Sequence, residues 1–134
     1  MADLFILLSI LFFGVGAFLG KSALRDASSV YVYLFEALGT LTIATIIAFF
    51  FKKELGDALN DFSWQGYLFG LFFGLGTATF IVALKYKDAS AVVPLTALYP
   101  LVTILLATVF LHEAITLKVG IGIMFAIIAG FLLL

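Results

Sequence analysis

Residues 89–112 have the sequence ASAVVPLTALYPLVTILLATVFLH, and the prediction of the fold rests mainly on them. The stretch carries no formal charge, and two prolines, Pro94 and Pro100, lie inside it. About 20 apolar residues, each rising 1.5 Å, cross the hydrocarbon core of a bilayer, so the stretch predicts a transmembrane helix. Proline lacks an N–H and its ring crowds the carbonyl four residues back, so we expect the helix to kink at both prolines.

A face of hydroxyl groups accompanies the second proline. Pro100 leaves the carbonyl of Thr96 without its usual donor, which is costly in lipid unless protein, water or a ligand satisfies it. Thr96, Tyr99 and Thr103 lie on the same side of the helix as Pro100. This pattern predicts the wall of a substrate cavity. The alternative is a kink that threonine hydrogen bonds and helix packing repair, with no ligand.

The composition is that of an integral membrane protein. Of 134 residues, 65% are hydrophobic and 11% are charged, whereas soluble domains have about 25% charged residues. The net charge is −1 with no charged tail, which indicates no nucleic-acid partner. The chain has no cysteine, and its single histidine, His112, has no partners at ligand spacing. We therefore predict no metal and no cofactor.

Charged residues divide the chain into five apolar blocks. They predict an all-α membrane protein, a single transmembrane domain over 1–134, with helices at about 4–20, 30–51, 64–84, 90–111 and 118–134. The first block lacks the basic segment of a signal peptide and is predicted to be a retained helix. The connections are too short for a catalytic domain, and no nucleophile–base pair is present, so an enzyme is not predicted.

Glycine spacing predicts close helix packing. Gly66, Gly70 and Gly74 recur every four residues on the third predicted helix, and Gly16 and Gly20 do so on the first. Small residues at this spacing allow helix backbones to approach closely in membranes. The pattern concerns assembly and indicates no particular substrate.

Glu36 is the one formal charge well inside an apolar block, about 9 Å along the second predicted helix. An ionised carboxylate at that depth is costly, so it should face the bundle interior, be paired, or be protonated. Tyr33 and Thr40 lie on the same face, three residues before and four after it. We predict that these three residues bind a coupling proton or a cation. The alternative is a structural carboxylate that reaches water or a lysine such as Lys21.

Basic residues are almost evenly divided between the two membrane sides that five spans predict. One side has Lys21, Arg25, Lys85 and Lys87, and the other has Lys52, Lys53 and Lys118. Four against three is hardly any positive-inside bias. The chain could therefore insert both ways and pair with itself antiparallel, which reproduces the inverted repeats of many transporters. The alternative is one fixed orientation.

From Gly66 onward the chain resembles the EamA family of the drug/metabolite transporter superfamily. A glycine-rich helix leads to ALKY at 83–86, a proline-bearing helix ends in LHE at 111–113, and ITL at 115–117 precedes the last helix. In the first half, Phe13-Gly14 stands where the family often has Trp-Gly, and Lys21 fits a lysine common at the end of that helix. Glu36 stands where many members have an arginine.

The resemblance implies a multi-pass carrier of small metabolites or drug-like compounds in a prokaryotic inner membrane. Typical members carry two five-helix repeats, whereas this sequence carries one, so we expect a homodimer that works by alternating access. The related small multidrug resistance proteins pair antiparallel but use a glutamate in the first helix, which is absent here. A non-transporting subunit, either a scaffold or a lipid-flippase partner, is the alternative function.

Overall fold

The computed structural model describes residues 2–133, and within that range the chain forms helices and turns without strands. The helices are α1 (Ala2–Ala23), α2 (Ser29–Phe50), α3 (Lys52–Asn60), α4 (Trp64–Tyr86), α5 (Ala89–Thr96), α6 (Tyr99–Phe110) and α7 (Leu117–Leu133). The predicted all-α class is confirmed. Residues 2–86 form one compact unit and residues 87–133 another.

Four helical segments in the described range are long and apolar enough to cross a membrane: Ala2–Ala23, Ser29–Phe50, Trp64–Tyr86 and Ala89–Phe110. The fourth consists of α5 and α6 together. The shorter apolar α7 has 17 residues and rises about 26 Å, a little less than the roughly 30 Å hydrocarbon core. Residue 134, which the predicted fifth helix included, lies outside the described residues.

Side-chain packing in residues 2–86 is concentrated where α1 and α4 end and α2 begins. Leu24, Val32, Ile81 and Leu84 are buried there, and Leu84 is fully enclosed. Toward the other end of the same helices, large apolar side chains such as Phe12 are exposed. In lipid, helix association depends on van der Waals packing and hydrogen bonds rather than on the hydrophobic effect. The buried cluster of Leu24, Val32, Ile81 and Leu84 therefore contributes to holding these helices together.

Two lysines join the ends of α1 and α4. The ammonium group of Lys21 donates a hydrogen bond to the Leu84 carbonyl at 2.7 Å. That of Lys85 donates to the carbonyls of Leu24 at 2.6 Å and Ala27 at 3.1 Å. The last carbonyls of a helix have no intrahelical donor, and a cation there also complements the helix dipole. Lys21 thus caps the end of α4, and Lys85 binds carbonyls of the turn that follows α1; we call this arrangement the lysine clasp.

Only some of the predicted packing glycines contact another helix. A methyl group placed on Gly74 would lie 3.3 Å from the Tyr33 hydroxyl of α2, and one on Gly20 would lie 4.0 Å from Leu84. Gly66 contacts only the nearby Ser63 side chain. A methyl group placed on Gly16 or Gly70 would have no neighbouring atom within 4 Å. The packing role of these two glycines therefore stays a prediction.

The segment 52–60 was expected to be part of a connection and is instead the helix α3. Its nine residues are too polar to form an apolar block, so a search for blocks overlooks them. The Lys52 ammonium lies 4.9 Å from the centre of the Phe49 ring, a cation–π distance that joins the start of α3 to the end of α2.

In residues 87–133, α5 packs against α7. Gly130 of α7, which the spacing pattern did not single out, is buried. A methyl group placed on Gly130 would lie 2.6 Å from Leu98 Cδ1, inside van der Waals contact. Leu98, in the turn after α5, therefore occupies the space that a larger residue in α7 would need.

Candidate substrate site

The fourth membrane span is interrupted near its middle. α5 ends at Thr96, residues 97–98 form a turn, and α6 begins at Tyr99. The Leu98 N–H donates to the Leu95 carbonyl at 3.1 Å, and the Leu101 N–H donates to the Leu98 carbonyl at 2.9 Å. These bonds reach three residues back rather than four, so the backbone here is wound more tightly than an α-helix.

The two prolines lie on either side of this turn. Pro94 is inside α5, whereas Pro100 occupies the first turn of α6. A first-turn N–H has no intrahelical acceptor, so the missing N–H of Pro100 costs nothing there, and its fixed φ suits a helix start. In place of the kinks expected at Pro94 and Pro100, the span has a short interruption at Ala97 and Leu98, whose backbone stays in the right-handed helical region.

The predicted hydroxyl face is divided by the break. Thr96 lies at the end of α5, while Tyr99 and Thr103 lie on α6, and all three are exposed. The Thr96 hydroxyl donates to the Val92 carbonyl at 2.7 Å. This is the threonine back-bonding that the ligand-free alternative required, although the hydroxyl oxygen keeps acceptor capacity for a ligand. The single continuous wall expected from helical spacing is therefore two short walls.

Two grooves open beside α6 and α7. One, of about 280 Å³, is lined at the break by Ala97, Leu98 and Pro100 and on α7 by Gly122. It is formed almost wholly by apolar groups. Its position shows that the break leaves room beside the span, although the groove offers few polar contacts.

The other groove, of about 350 Å³, has three polar side chains in its lining: Thr103, Thr108 and Glu113. We call it the threonine groove. The sequence predicted only Thr103 as a site residue. Thr108 donates to the Ile104 carbonyl at 2.8 Å, so its hydroxyl is directed at its own helix. Thr108 and Glu113 are five and ten residues after Thr103, so they are not at the spacing of three, four or seven residues that places side chains on one helix face. The sequence alone therefore did not group them with Thr103.

A backbone reversal after α6 brings Glu113 to that groove. His112 has a φ of 55°, a left-handed conformation that costs an L-residue energy. The N–H groups of Leu111 and Glu113 both donate to the Ala107 carbonyl, at 2.9 and 3.3 Å. His112 is therefore a helix-ending residue. Within residues 2–133 no group of His, Cys, Asp and Glu is placed to hold a metal ion.

Glu36 and Thr40 form a pair on α2. The Thr40 hydroxyl donates to Glu36 Oε1 at 3.1 Å, one helical turn away, and both residues are exposed. Tyr33 is half-buried, and its hydroxyl lies against Gly74 of α4. Lys21, the alternative partner, donates to the Leu84 carbonyl in the lysine clasp. The helices of residues 2–86 thus present the carboxylate outward with a neutral donor beside it.

Comparison with known proteins gives a family for the chain. A model of the EamA-like transporter family matches residues 1–134. No curated protein and no solved structure matches the chain significantly.

Proposed function

The chain belongs to the EamA-like transporter family, and from that membership we propose that it carries a small metabolite or drug-like compound across a prokaryotic inner membrane. It is a multi-pass membrane protein whose apolar helices suit the span lengths of a bilayer. We propose a secondary transporter that exposes its site alternately to the two sides of the membrane and works as a homodimer.

The break after Thr96 is the observation that carries this proposal. It lies close to the middle of the 22-residue span Ala89–Phe110. Secondary transporters commonly bind substrates and coupling ions near the bilayer midplane at discontinuous helices, where helix ends and unwound carbonyls serve as ligands. We propose that Thr96 and Tyr99, which flank the break, line the substrate path together with Thr103.

Glu36 is proposed as the coupling site. An exposed ionised carboxylate against acyl chains would be expensive, so we propose that it faces a water-filled path and takes up a proton or a cation there. The Thr40 hydroxyl supports this role because a hydroxyl can donate to a carboxylate and can also accept from a carboxylic acid. Tyr33 would line the same path from the preceding turn.

The homodimer is supported by small residues that lack neighbours. Gly16 on α1 and Gly70 on α4 have nothing within 4 Å of an added methyl group. Surfaces of this kind let a second helix approach closely in the membrane. We propose that a second copy packs there. The even division of basic residues permits the copies to lie antiparallel.

The test of the substrate site is uptake into proteoliposomes, screened over small compounds with an imposed pH gradient. Thr96→Val is compared with Thr45→Val, because both hydroxyls donate to a carbonyl one turn back, at 2.7 and 2.8 Å. Losing one substrate hydrogen bond, worth about 0.5–1.5 kcal/mol, should slow uptake roughly 2- to 10-fold for Thr96→Val alone. Equal uptake rates in the two variants would show that Thr96, beside the break, does not bind the substrate.

The test of coupling is Glu36→Gln, with Glu54→Gln on α3 as the matched control. The first variant should fold normally, because glutamine keeps the shape of the side chain and its oxygen can still accept the Thr40 hydrogen bond. Its uptake should lose the response to the pH gradient, while the control keeps it. An unchanged pH response would exclude Glu36 as the coupling site. A wild-type chain that transports no compound but co-purifies with a transport protein would support the scaffold alternative.

A further inference from the structure

The short helix α3 has one apolar and one polar face. At 100° per residue, Leu55 and Leu59 lie side by side, whereas Lys53 and Asp57 lie together on the opposite side. A helix with this division that also has low overall hydrophobicity is typical of a segment at a membrane surface.

The described chain leaves much of the apolar face uncovered. Leu55 is 41% exposed and Leu59 is 77% exposed. These two leucines would be stabilised by an apolar environment from outside the chain.

The neighbouring helices fix the depth of α3. A single residue separates the end of α2 at Phe50 from α3, and three residues separate α3 from the start of α4 at Trp64. Both are membrane spans, so α3 starts and ends within a few residues of the bilayer surface. The rings of Phe62, Trp64 and Tyr67 cluster there, with centroids 5.0 to 6.3 Å apart. Such aromatic groups favour the boundary between headgroups and acyl chains.

We propose that α3 lies in the plane of the bilayer, with Leu55 and Leu59 among the outermost acyl carbons and Lys53 and Asp57 among the headgroups. The binding partner of this face is therefore the lipid boundary. The helix contains two lysines and two acidic residues, so its formal charge is zero. Its attachment thus rests on apolar burial, and anionic lipid should add little.

The absence of cysteine makes a labelling experiment direct. Leu55→Cys and Leu59→Cys are labelled with a nitroxide and compared with Lys53→Cys and Asp57→Cys in phosphatidylcholine vesicles. Oxygen reports lipid exposure, and a water-soluble nickel chelate reports exposure to water. We expect the oxygen-to-nickel accessibility ratio to be several-fold higher at 55 and 59, and unchanged when phosphatidylglycerol is added.

Three results would overturn the proposal. High nickel accessibility at 55 and 59 would place the face in water. Shielding from both reagents, with broadening between spins, would show that a second copy covers it. Equal ratios at all four positions would show that the helix is not oriented in the surface.

Trp64 provides a measurement on the unchanged chain, since it is the only tryptophan. Lipids brominated near the headgroup end of the acyl chain should quench its fluorescence more strongly than lipids brominated near the terminal methyl. Stronger quenching by the deep bromines would show that the α3–α4 junction lies deep in the bilayer, which would overturn the proposal. The absence of quenching by either lipid would place the junction in water and overturn it as well.

Discussion

Replacing Lys85 by methionine tests the lysine clasp, because methionine keeps an apolar stem and removes the ammonium group. That group donates hydrogen bonds at 2.6 and 3.1 Å to carbonyls of the turn that follows α1, and the Lys21 ammonium donates to the Leu84 carbonyl of α4 at 2.7 Å. A hydrogen bond involving a charged group contributes about 1.5–3 kcal/mol, and partial exposure places the clasp at the lower end of that range. We expect Lys85→Met and Lys21→Met each to lower the free energy of unfolding by about 1–2 kcal/mol.

The measurement is unfolding by sodium dodecyl sulfate in mixed micelles, followed by circular dichroism. Arg25→Met is the control, because it removes the same charge just after α1 from an exposed side chain. The free energy of unfolding of this variant should equal that of the wild type. Because the two lysines join the same pair of helix ends, the double variant should lose less than the sum of the single losses. Equal stability of Lys85→Met and Arg25→Met would refute the clasp as a stabilising contact.

Three further predictions concern the backbone at His112, the surroundings of two glycines and the orientation of the chain in the membrane. His112→Gly should raise the free energy of unfolding by about 1 kcal/mol, because glycine adopts the left-handed conformation without strain, whereas His112→Ala should not; the same micelle titration measures both. Gly74→Leu should destabilise the monomer by about 1–3 kcal/mol by displacing α2, while Gly70→Leu should leave the monomer unchanged and weaken only a dimer, as seen by cross-linking; the reverse order would contradict the observed packing. C-terminal reporter fusions should give signal from both sides of the membrane, and moving two lysines should polarise it; a one-sided wild-type signal would exclude dual topology.

The membrane spans could be predicted because apolar length alone decides whether a helix can cross a bilayer. The predicted helices at 64–84 and 90–111 correspond closely to α4 and to α5 with α6. α3 could not be found in this way, since charged residues occupy four of its nine positions and leave no apolar run. The prolines located the disturbance in the fourth span, but the exact break depends on the turn at Ala97, which no proline marks.

Side-chain contacts, within a helix and between helices, were predictable only in part. The pairing of Thr40 with Glu36 follows from their spacing on one helix, and the structure contains it. Gly70 and Gly74 have the same spacing signal, yet only Gly74 meets another helix, because Tyr33 lies opposite it. Spacing identifies a face, but which neighbour lies on that face depends on tertiary packing. The roles proposed for the site residues remain predictions.

The lysine clasp also constrains the order in which the protein can assemble during synthesis. The two bonds of highest sequence separation join residues 63 and 61 positions apart. At about 5–20 residues per second, the ribosome needs on the order of 3–12 s to make the chain between Leu24 and its donor Lys85. Throughout that interval the turn that follows α1 must find other donors, from water, lipid headgroups or the insertion machinery. The carbonyls that follow the first span therefore gain their hydrogen bonds from Lys85 only after the third span has been made.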